Sequence, residues 1–579
     1  MTRLRRLFRS ASLLLLPAAV APNAAQLAAQ APPAPVASRN GIVVSVSAPA
    51  SDIGAAILAS GGNAVDAAVA TAFALAVTHP SAGNIGGGGF MIVRTPDGRA
   101  TTFDYRERAP LASTPTMYLG SDGNIDRSLT ASGWLAPGVP GTVRGMELVH
   151  RRFGKLPWAD MVRPAAELAM RGWPLSPALA RSINSQLRGK MGRFPSSVAA
   201  YSKPGGGEWQ AGDTIRLPDL GRALMDIATK GADVFYTGWI ADSIDAQMRA
   251  NGGIIRKADL EQYRAVERAP VTGTFLGYDI ISMGPPSSGG TVLIETLNML
   301  ERLGVDRMSR ASAEYLHLRI ETARRAYLDR ARYLGDADFA TVPLDRLLSK
   351  AYADSLARTI DRNKATRSVD LGSDIVTVAE SEETTHFSVV DASGMAVSNT
   401  YTLEAGYGSG VVVAGAGFLL NNEMGDFNKK PGETNTNGDI GTPANLIAPG
   451  KRMLSSMTPA IVARDGKLVL VTGSPGGRTI PNTVIDVILG VTAFKMNVRE
   501  AVDAPRLHHQ WLPDNTRVEA GAASEAVLET LRKMGHDIEM GRGLGQGDAH
   551  SIFFDARTGT AYGANDTRSP DSKASKPEK

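Results

Sequence analysis

The stretch Glu382-Glu383-Thr384-Thr385-His386-Phe387-Ser388-Val389-Val390-Asp391 places two hydroxyl residues directly ahead of an alternating, largely apolar run. A threonine hydroxyl is a poor nucleophile unless a base lies beside it. One way to supply that base is to make threonine the first residue of a chain, so that its own α-amine accepts the proton. Breaking the bond between Glu383 and Thr384 would create that arrangement. Taken alone, a Thr-Thr pair before a strand is ordinary β-sheet chemistry. The company this stretch keeps elsewhere in the chain decides the matter.

Four other stretches carry groups with chemical potential: Asp104-Tyr105-Arg106-Glu107, Asn421-Asn422-Glu423-Met424-Gly425-Asp426-Phe427, Leu454-Ser455-Ser456-Met457 and Gly473-Ser474-Pro475-Gly476-Gly477. Each has a plain explanation when isolated. Arg106 between Asp104 and Glu107 could be a surface salt bridge, Ser455-Ser456 turn residues, and Gly476-Gly477 a turn after Pro475. With no cysteine, disulfides, thiolate metal sites and cysteine nucleophiles are excluded. The eight histidines form no His-Glu-x-x-His pair, and neither Gly-x-Ser-x-Gly nor a Walker-type phosphate loop occurs. No metal or cofactor is expected.

The elements that must position these groups are legible from pattern. The run Phe387 to Asp391 turns at Ala392-Ser393-Gly394 and returns as Met395 to Leu403, which predicts a β-hairpin with Thr384 at one end. Helices are predicted over Ser51 to Leu58 and Asn63 to Thr78, with Asn63 as N-cap and Asp66 three residues on. The glycines Gly86 to Gly89 precede a strand over Phe90 to Arg94 and read as a place of close backbone packing. Asp97-Gly98 and Asp465-Gly466 are hairpin turns. Strand-like sequence runs from Val271 to Ile281 and ends in Pro285-Pro286-Ser287-Ser288-Gly289-Gly290. Helices are predicted from Thr291 to Leu303 and from Ala313 to Tyr333. The second carries Arg319, Arg324, Arg325, Arg330 and Arg332 among acidic residues, the pattern of a solvated or salt-bridged face rather than a nucleic-acid helix.

At 579 residues and 43% hydrophobic, the chain can bury a large core; 62 basic against 58 acidic side chains give little support for a nucleic-acid partner. Arg3, Arg5, Arg6 and Arg9, the apolar run Leu13 to Leu16 and small residues near Ala25 to Ala29 have the layout of a secretory signal. We therefore expect a signal peptide over residues 1–29, a linker over 30–39, a periplasmic or secreted mature protein without stable membrane insertion, and a disordered tail over 566–579.

Together these segments, with Gly61-Gly62-Asn63-Ala64-Val65-Asp66-Ala67-Ala68, resemble the γ-glutamyltransferase family of N-terminal-nucleophile hydrolases. The resemblance covers nearly all of the chain from Asn40 to Arg568. It implies an α+β fold, a four-layer αββα sandwich. It also implies a precursor that cuts itself into a large subunit, residues 40–383, and a small subunit, residues 384–565, that stay together. Thr384 would attack the γ-carbonyl of glutathione or another γ-glutamyl compound, and water or an amino acid or dipeptide acceptor would take up the γ-glutamyl group. Thr402 would hydrogen-bond the nucleophile, and the N–H groups of Gly476 and Gly477 would hold the oxyanion. Arg106, Ser455 and Ser456 would bind the substrate α-carboxylate; Glu423 and Asp426 would bind its α-ammonium.

Two departures stand out. Glu404 occupies a position that is asparagine in many relatives, and adds a third carboxylate near Glu423 and Asp426. Asn437 stands where some relatives have an aromatic lid residue. Two other readings share the scaffold: a cephalosporin (glutaryl) acylase, and an exported binding protein without activity, which intact Thr384, Thr402, Gly476 and Gly477 argue against.

Overall fold

Alternation along the strands builds the layers. In the computed structural model, which describes residues 33–372, 384–432, 442–541 and 546–578, Val43, Met91, Val93, Phe387 and Val389 pack toward one helical layer. Their neighbours Ile42, Val44, Ile92 and Val390 face the opposite way, against Ile461, Val471 and Ile552 of a second sheet. On the second sheet Val462 and Leu470 in turn face helical residues Leu293, Ile294, Val484 and Ile488. A period of two that serves two cores at once yields four layers, helix, sheet, sheet, helix.

Both sheets have seven strands, antiparallel throughout. The first runs in the order Lys573–Ser575, Gly41–Ser45, Thr385–Asp391, Ala396–Thr402, Gly88–Arg94, Ala100–Asp104, Val266–Arg268. The second runs Val36–Ser38, Thr560–Ala564, Ser551–Asp555, Lys467–Thr472, Ala460–Arg464, Tyr278–Ser282, Val271–Phe275. The expected hairpin is present, with Thr385 opposite Tyr401. The strand-like run from Val271 onward is a hairpin that turns at Leu276 and Gly277.

Against the first sheet lies the helix Ala64–Thr78, buried along its whole length. Asn63 caps it by accepting from the N–H groups of Val65 and Asp66, and the Asp66 carboxylate accepts from the Asn63 N–H at 2.9 Å. Such a reciprocal cap is worth about 1 kcal/mol. The glycine run meets the sheet at close quarters: a Cβ on Gly87 would lie 2.1 Å from the Thr402 carbonyl oxygen.

Two expectations are corrected. Val36–Ser38, assigned to the linker, is a strand that pairs with Thr560–Ala564. The tail is ordered: Lys573–Ser575 pairs with Gly41–Ser45, and Asp566 is buried between Arg506 and Arg568. Composition hid both, because three-residue edge strands are held by main-chain bonds to partners far away in sequence. Of the two readings of the helix Ala313–Tyr333 the salt-bridged one holds and the solvated one does not: Arg319, Arg324, Arg325 and Arg330 are buried. Arg319 pairs with Asp486 at 3.1 Å and Arg325 with Glu321 at 2.7 Å. The expected signal segment, the Glu383–Thr384 bond and Asn437 lie outside the described residues. No described helix is long and apolar enough to cross a membrane.

Candidate active site

Register brings the two threonines together. Thr385 faces Tyr401 across the hairpin, so Thr384, one residue earlier, stands at the same sheet end as Thr402. Thr402 accepts from the backbone N–H of Glu404 at 2.9 Å. One cavity of about 20 Å³ is lined by Thr384, Thr402, Arg106, Glu404, Glu423, Asp426, Ser455, Ser456 and Gly477. Of the residues expected at the site only Gly476 is missing from that lining, and it adjoins Gly477 in the same turn. Two larger cavities, about 450 Å³ beside His79 and Trp173 and about 360 Å³ beside Trp209 and Arg216, contain none of these residues.

The Gly476-Gly477 turn links the Lys467–Thr472 strand to the helix Thr479–Thr492. Both glycines have positive φ, 125° and 53°, conformations that favour glycine. Their carbonyls accept from the N–H groups of Thr479 and Ile480 at 2.9 and 3.1 Å.

Arg106 is wholly buried, which removes the surface salt-bridge explanation. It donates to Asp426 Oδ2 at 2.5 Å and to the Leu454 carbonyl at 3.2 Å, pairs with Glu423, and has Glu107 at 3.7 Å. Burial opposes its charge, but Glu423, Asp426 and Glu107 outweigh that and hold its pKa above the ordinary value. The carboxyl groups respond in the opposite sense. Burial, then the Asp426 charge, pushes Glu404 up to about 8. Burial pushes Glu107 up to about 7 against the pull of Arg106. Glu423 is raised well above the carboxylate range by burial, with Glu107, Asp426 and Glu404 adding to it. One arginine among four acidic side chains thus leaves protons on some of them at neutral pH.

Glu404 takes φ of 81°, the left-handed region, and Asn422 donates to its carboxylate. Ser455 Oγ accepts from the Met457 N–H at 3.1 Å, and Ser456 Oγ accepts from Arg330 at 2.9 Å.

A family model described as Gamma-glutamyltranspeptidase matches residues 50–575. The chain belongs to this family. It is 44% identical over 537 residues to the glutathione hydrolase proenzyme of Escherichia coli (strain K12), covering 93% of this chain and 92% of that one. A second glutathione hydrolase proenzyme, from Pseudomonas sp. (strain A14), is 45% identical, with 87% of each chain covered. Among solved structures, the cephalosporin acylase from Bacillus halodurans superposes with a TM-score of 0.83 at 25% identity, over 98% of this chain and all of that one. The expected αββα architecture and the family placement therefore hold.

Sequence reasoning did not assign site roles to Glu107, Arg330, Met457 and Ile480. Glu107 was within reach, since it follows Arg106 directly; that its carboxylate turns inward with Arg106 depends on the irregular backbone after the Ala100–Asp104 strand. Arg330 was hidden among five arginines of one helix. A separate group, His317, Glu321 and His536, has the residue types of a metal site. Its geometry is that of a hydrogen-bonded knot: His317 Nδ1 lies 2.7 Å from His536 Nε2. Glu321 already accepts from Arg324, Arg325 and Thr366.

Proposed function

We propose that this γ-glutamyltranspeptidase-family chain is a self-processing γ-glutamyltransferase and glutathione hydrolase. The observation that carries this reading is the convergence of Thr384 and Thr402 with a buried arginine, two serines and three acidic side chains on one cavity. That is a nucleophile set beside groups suited to an α-amino-acid end.

Cleavage between residues 383 and 384 leaves Thr384 with a free α-amine, whose pKa of about 8 suits general-base work. Thr384 Oγ1 gives its proton to that amine and bonds to the γ-carbonyl carbon. The N–H groups of Gly476 and Gly477 hold the resulting oxyanion. The tetrahedral centre collapses, the C–N bond breaks, and the amine product leaves with the proton. Water or an acceptor amine then attacks the γ-glutamyl ester by the same proton route, freeing glutamate or a new γ-glutamyl amide. Thr402 orients the nucleophile. Arg106, Ser455 and Ser456 take the α-carboxylate, Arg106 as a planar fork; Glu423, Asp426 and Glu404 take the α-ammonium. The basic, apolar N-terminus supports a periplasmic or secreted mature protein.

The test is turnover of a chromogenic γ-glutamyl anilide with and without a dipeptide acceptor. No release of anilide by protein cut at residue 384 would overturn the proposal. Glutaryl-acylase activity is the second reading, since the cephalosporin acylase shares this fold; glutaryl anilide turned over as fast as γ-glutamyl anilide would support it.

A further inference from the structure

We propose that Arg330 is a positioning residue for the α-carboxylate end of the donor. It locks the Ser456 hydroxyl as a hydrogen-bond donor and is itself held by Ser288. The inference rests on the γ-glutamyl reading above and adds to it two residues that lie outside the cavity lining.

Arg330 is 3% exposed near the C-terminal end of the Ala313–Tyr333 helix. Its Nη2 donates to Ser456 Oγ at 2.9 Å, and its Nε donates to Ser288 Oγ at 2.9 Å. A guanidinium has five N–H donors and no acceptor, whereas a hydroxyl has one proton and two lone pairs. Proton order along this chain is therefore fixed. Ser288 accepts from Arg330, so its own proton goes to the Ser455 carbonyl, 2.6 Å away. Ser456 accepts from Arg330 as well, so its proton is turned away from the guanidinium. A hydroxyl whose lone pair is taken by a cationic donor is polarised into a stronger donor, and more so in a buried setting. Ser456 lines the cavity beside Arg106.

The backbone around the serines is splinted by the same device. The Ser288 N–H also reaches the Ser455 carbonyl, at 2.7 Å, and the Ser455 N–H reaches the Pro286 carbonyl at 3.0 Å. Ser287 Oγ donates to the Met457 carbonyl at 2.5 Å. The Pro285 to Gly290 motif thus acts on the substrate through Ser455 and Ser456. Lysine could not replace Arg330 at this fork, because its single ammonium lacks the planar, divergent N–H pair.

The test compares two donors, γ-glutamyl anilide and 4-aminobutyryl anilide. The second keeps the amine and lacks the α-carboxylate. Arg330→Gln should raise KM for the γ-glutamyl donor about tenfold, with kcat changed by less than about threefold, the pattern of lost ground-state binding. The 4-aminobutyryl donor should respond far less. Arg330→Lys should rescue poorly, and in a Ser456→Ala background the Arg330→Gln effect should vanish, since the two act as one unit. Ser288→Ala should show the same donor split in milder form, and decides the matter if Arg330→Gln fails to mature. Equal losses on both donors, or a full Arg330→Gln effect without the Ser456 hydroxyl, would overturn the proposal and leave Arg330 a purely structural ion. Failure of the γ-glutamyl reading itself would look different: the wild type would not turn over γ-glutamyl anilide at all.

Discussion

Discrimination between γ-glutamyl and glutaryl donors should itself depend on pH, through Glu404. The two donors differ by one α-ammonium, and Glu404, Glu423 and Asp426, proposed above to take it, line one cavity. If all three were ionised, a glutaryl group would leave several buried charges unpaired, at about 2–5 kcal/mol for a lost partner. The structure lowers that figure, because Glu423 is held above the carboxylate range and Glu404 titrates near 8. At neutral pH both can stay neutral beside a glutaryl group, which leaves Asp426, already paired with Arg106, as the carboxylate that matters. We therefore expect a preference of about 2–3 kcal/mol, roughly 30- to 150-fold, at neutral pH. Ammonium binding favours ionised Glu404, so the group's proton is released on binding. With Glu404 raised to about 8, the ionised fraction climbs up to roughly 25-fold between pH 6.5 and 8.5. The ratio of kcat/KM for the two anilides should climb with it. Titration of the Thr384 amine affects both donors alike and cancels in that ratio. Glu404→Gln should flatten the profile while keeping turnover. A wild-type ratio that is constant over this range, or a slope that survives in Glu404→Gln, would refute the reasoning.

Thr384→Ala should remain a single chain without activity; gel mobility and N-terminal sequencing check this, and a small fragment starting elsewhere than residue 384 would contradict it. Glu404→Asn should raise the thermal midpoint, because asparagine takes the left-handed region of φ 81° more readily, a relief of up to about 1 kcal/mol. The same variant should lose the pH dependence of donor choice. Deleting residues 573–579 removes the strand that pairs with Gly41–Ser45 and the contacts of Lys573 and Ser575 to Asp52. Calorimetry should register a loss of about 1–3 kcal/mol; an unchanged melting curve would mean that the ordered tail contributes nothing.

What was legible in the sequence follows from which signals are local. The hairpin through Thr384 and Thr402 announces itself by alternation and by the Ala392-Ser393-Gly394 turn, and a capping box announces the helix after Asn63. The residues expected at the site, most of which line one cavity, stood out by position within motifs and not by any local pattern of their own. Arg106 looks the same in sequence whether it is a surface ion or a wholly buried one. What hid the rest was long-range pairing. Val36–Ser38 and Lys573–Ser575 become strands because partners hundreds of residues away present open edges. The protons on Glu404 and Glu423 depend on burial and on each other, which no spacing reveals. The arginines of Ala313–Tyr333 read as a solvated or salt-bridged face; Asp486 and Ser456, which bury two of them, belong to distant segments.

The sheets also explain how a cut before Thr384 could free its amine without loosening the site. In the first sheet the strands of the two expected subunits interleave. Lys573–Ser575 lies on Gly41–Ser45, which lies on Thr385–Asp391, while Ala396–Thr402 lies on Gly88–Arg94. In the second sheet, Val36–Ser38 joins Thr560–Ala564 and Tyr278–Ser282 joins Ala460–Arg464. The strand that begins beside Thr384 is thus flanked by one strand from each side of the expected cut. Separating the pieces would break ladders in both sheets and open the apolar layer between them, where Ile42 and Ile92 meet Ile461 and Ile552. Such a cut would remove one covalent bond from a structure whose cohesion lies in those ladders and that layer, so the geometry of Thr384 against Thr402 is set by the fold and not by that bond.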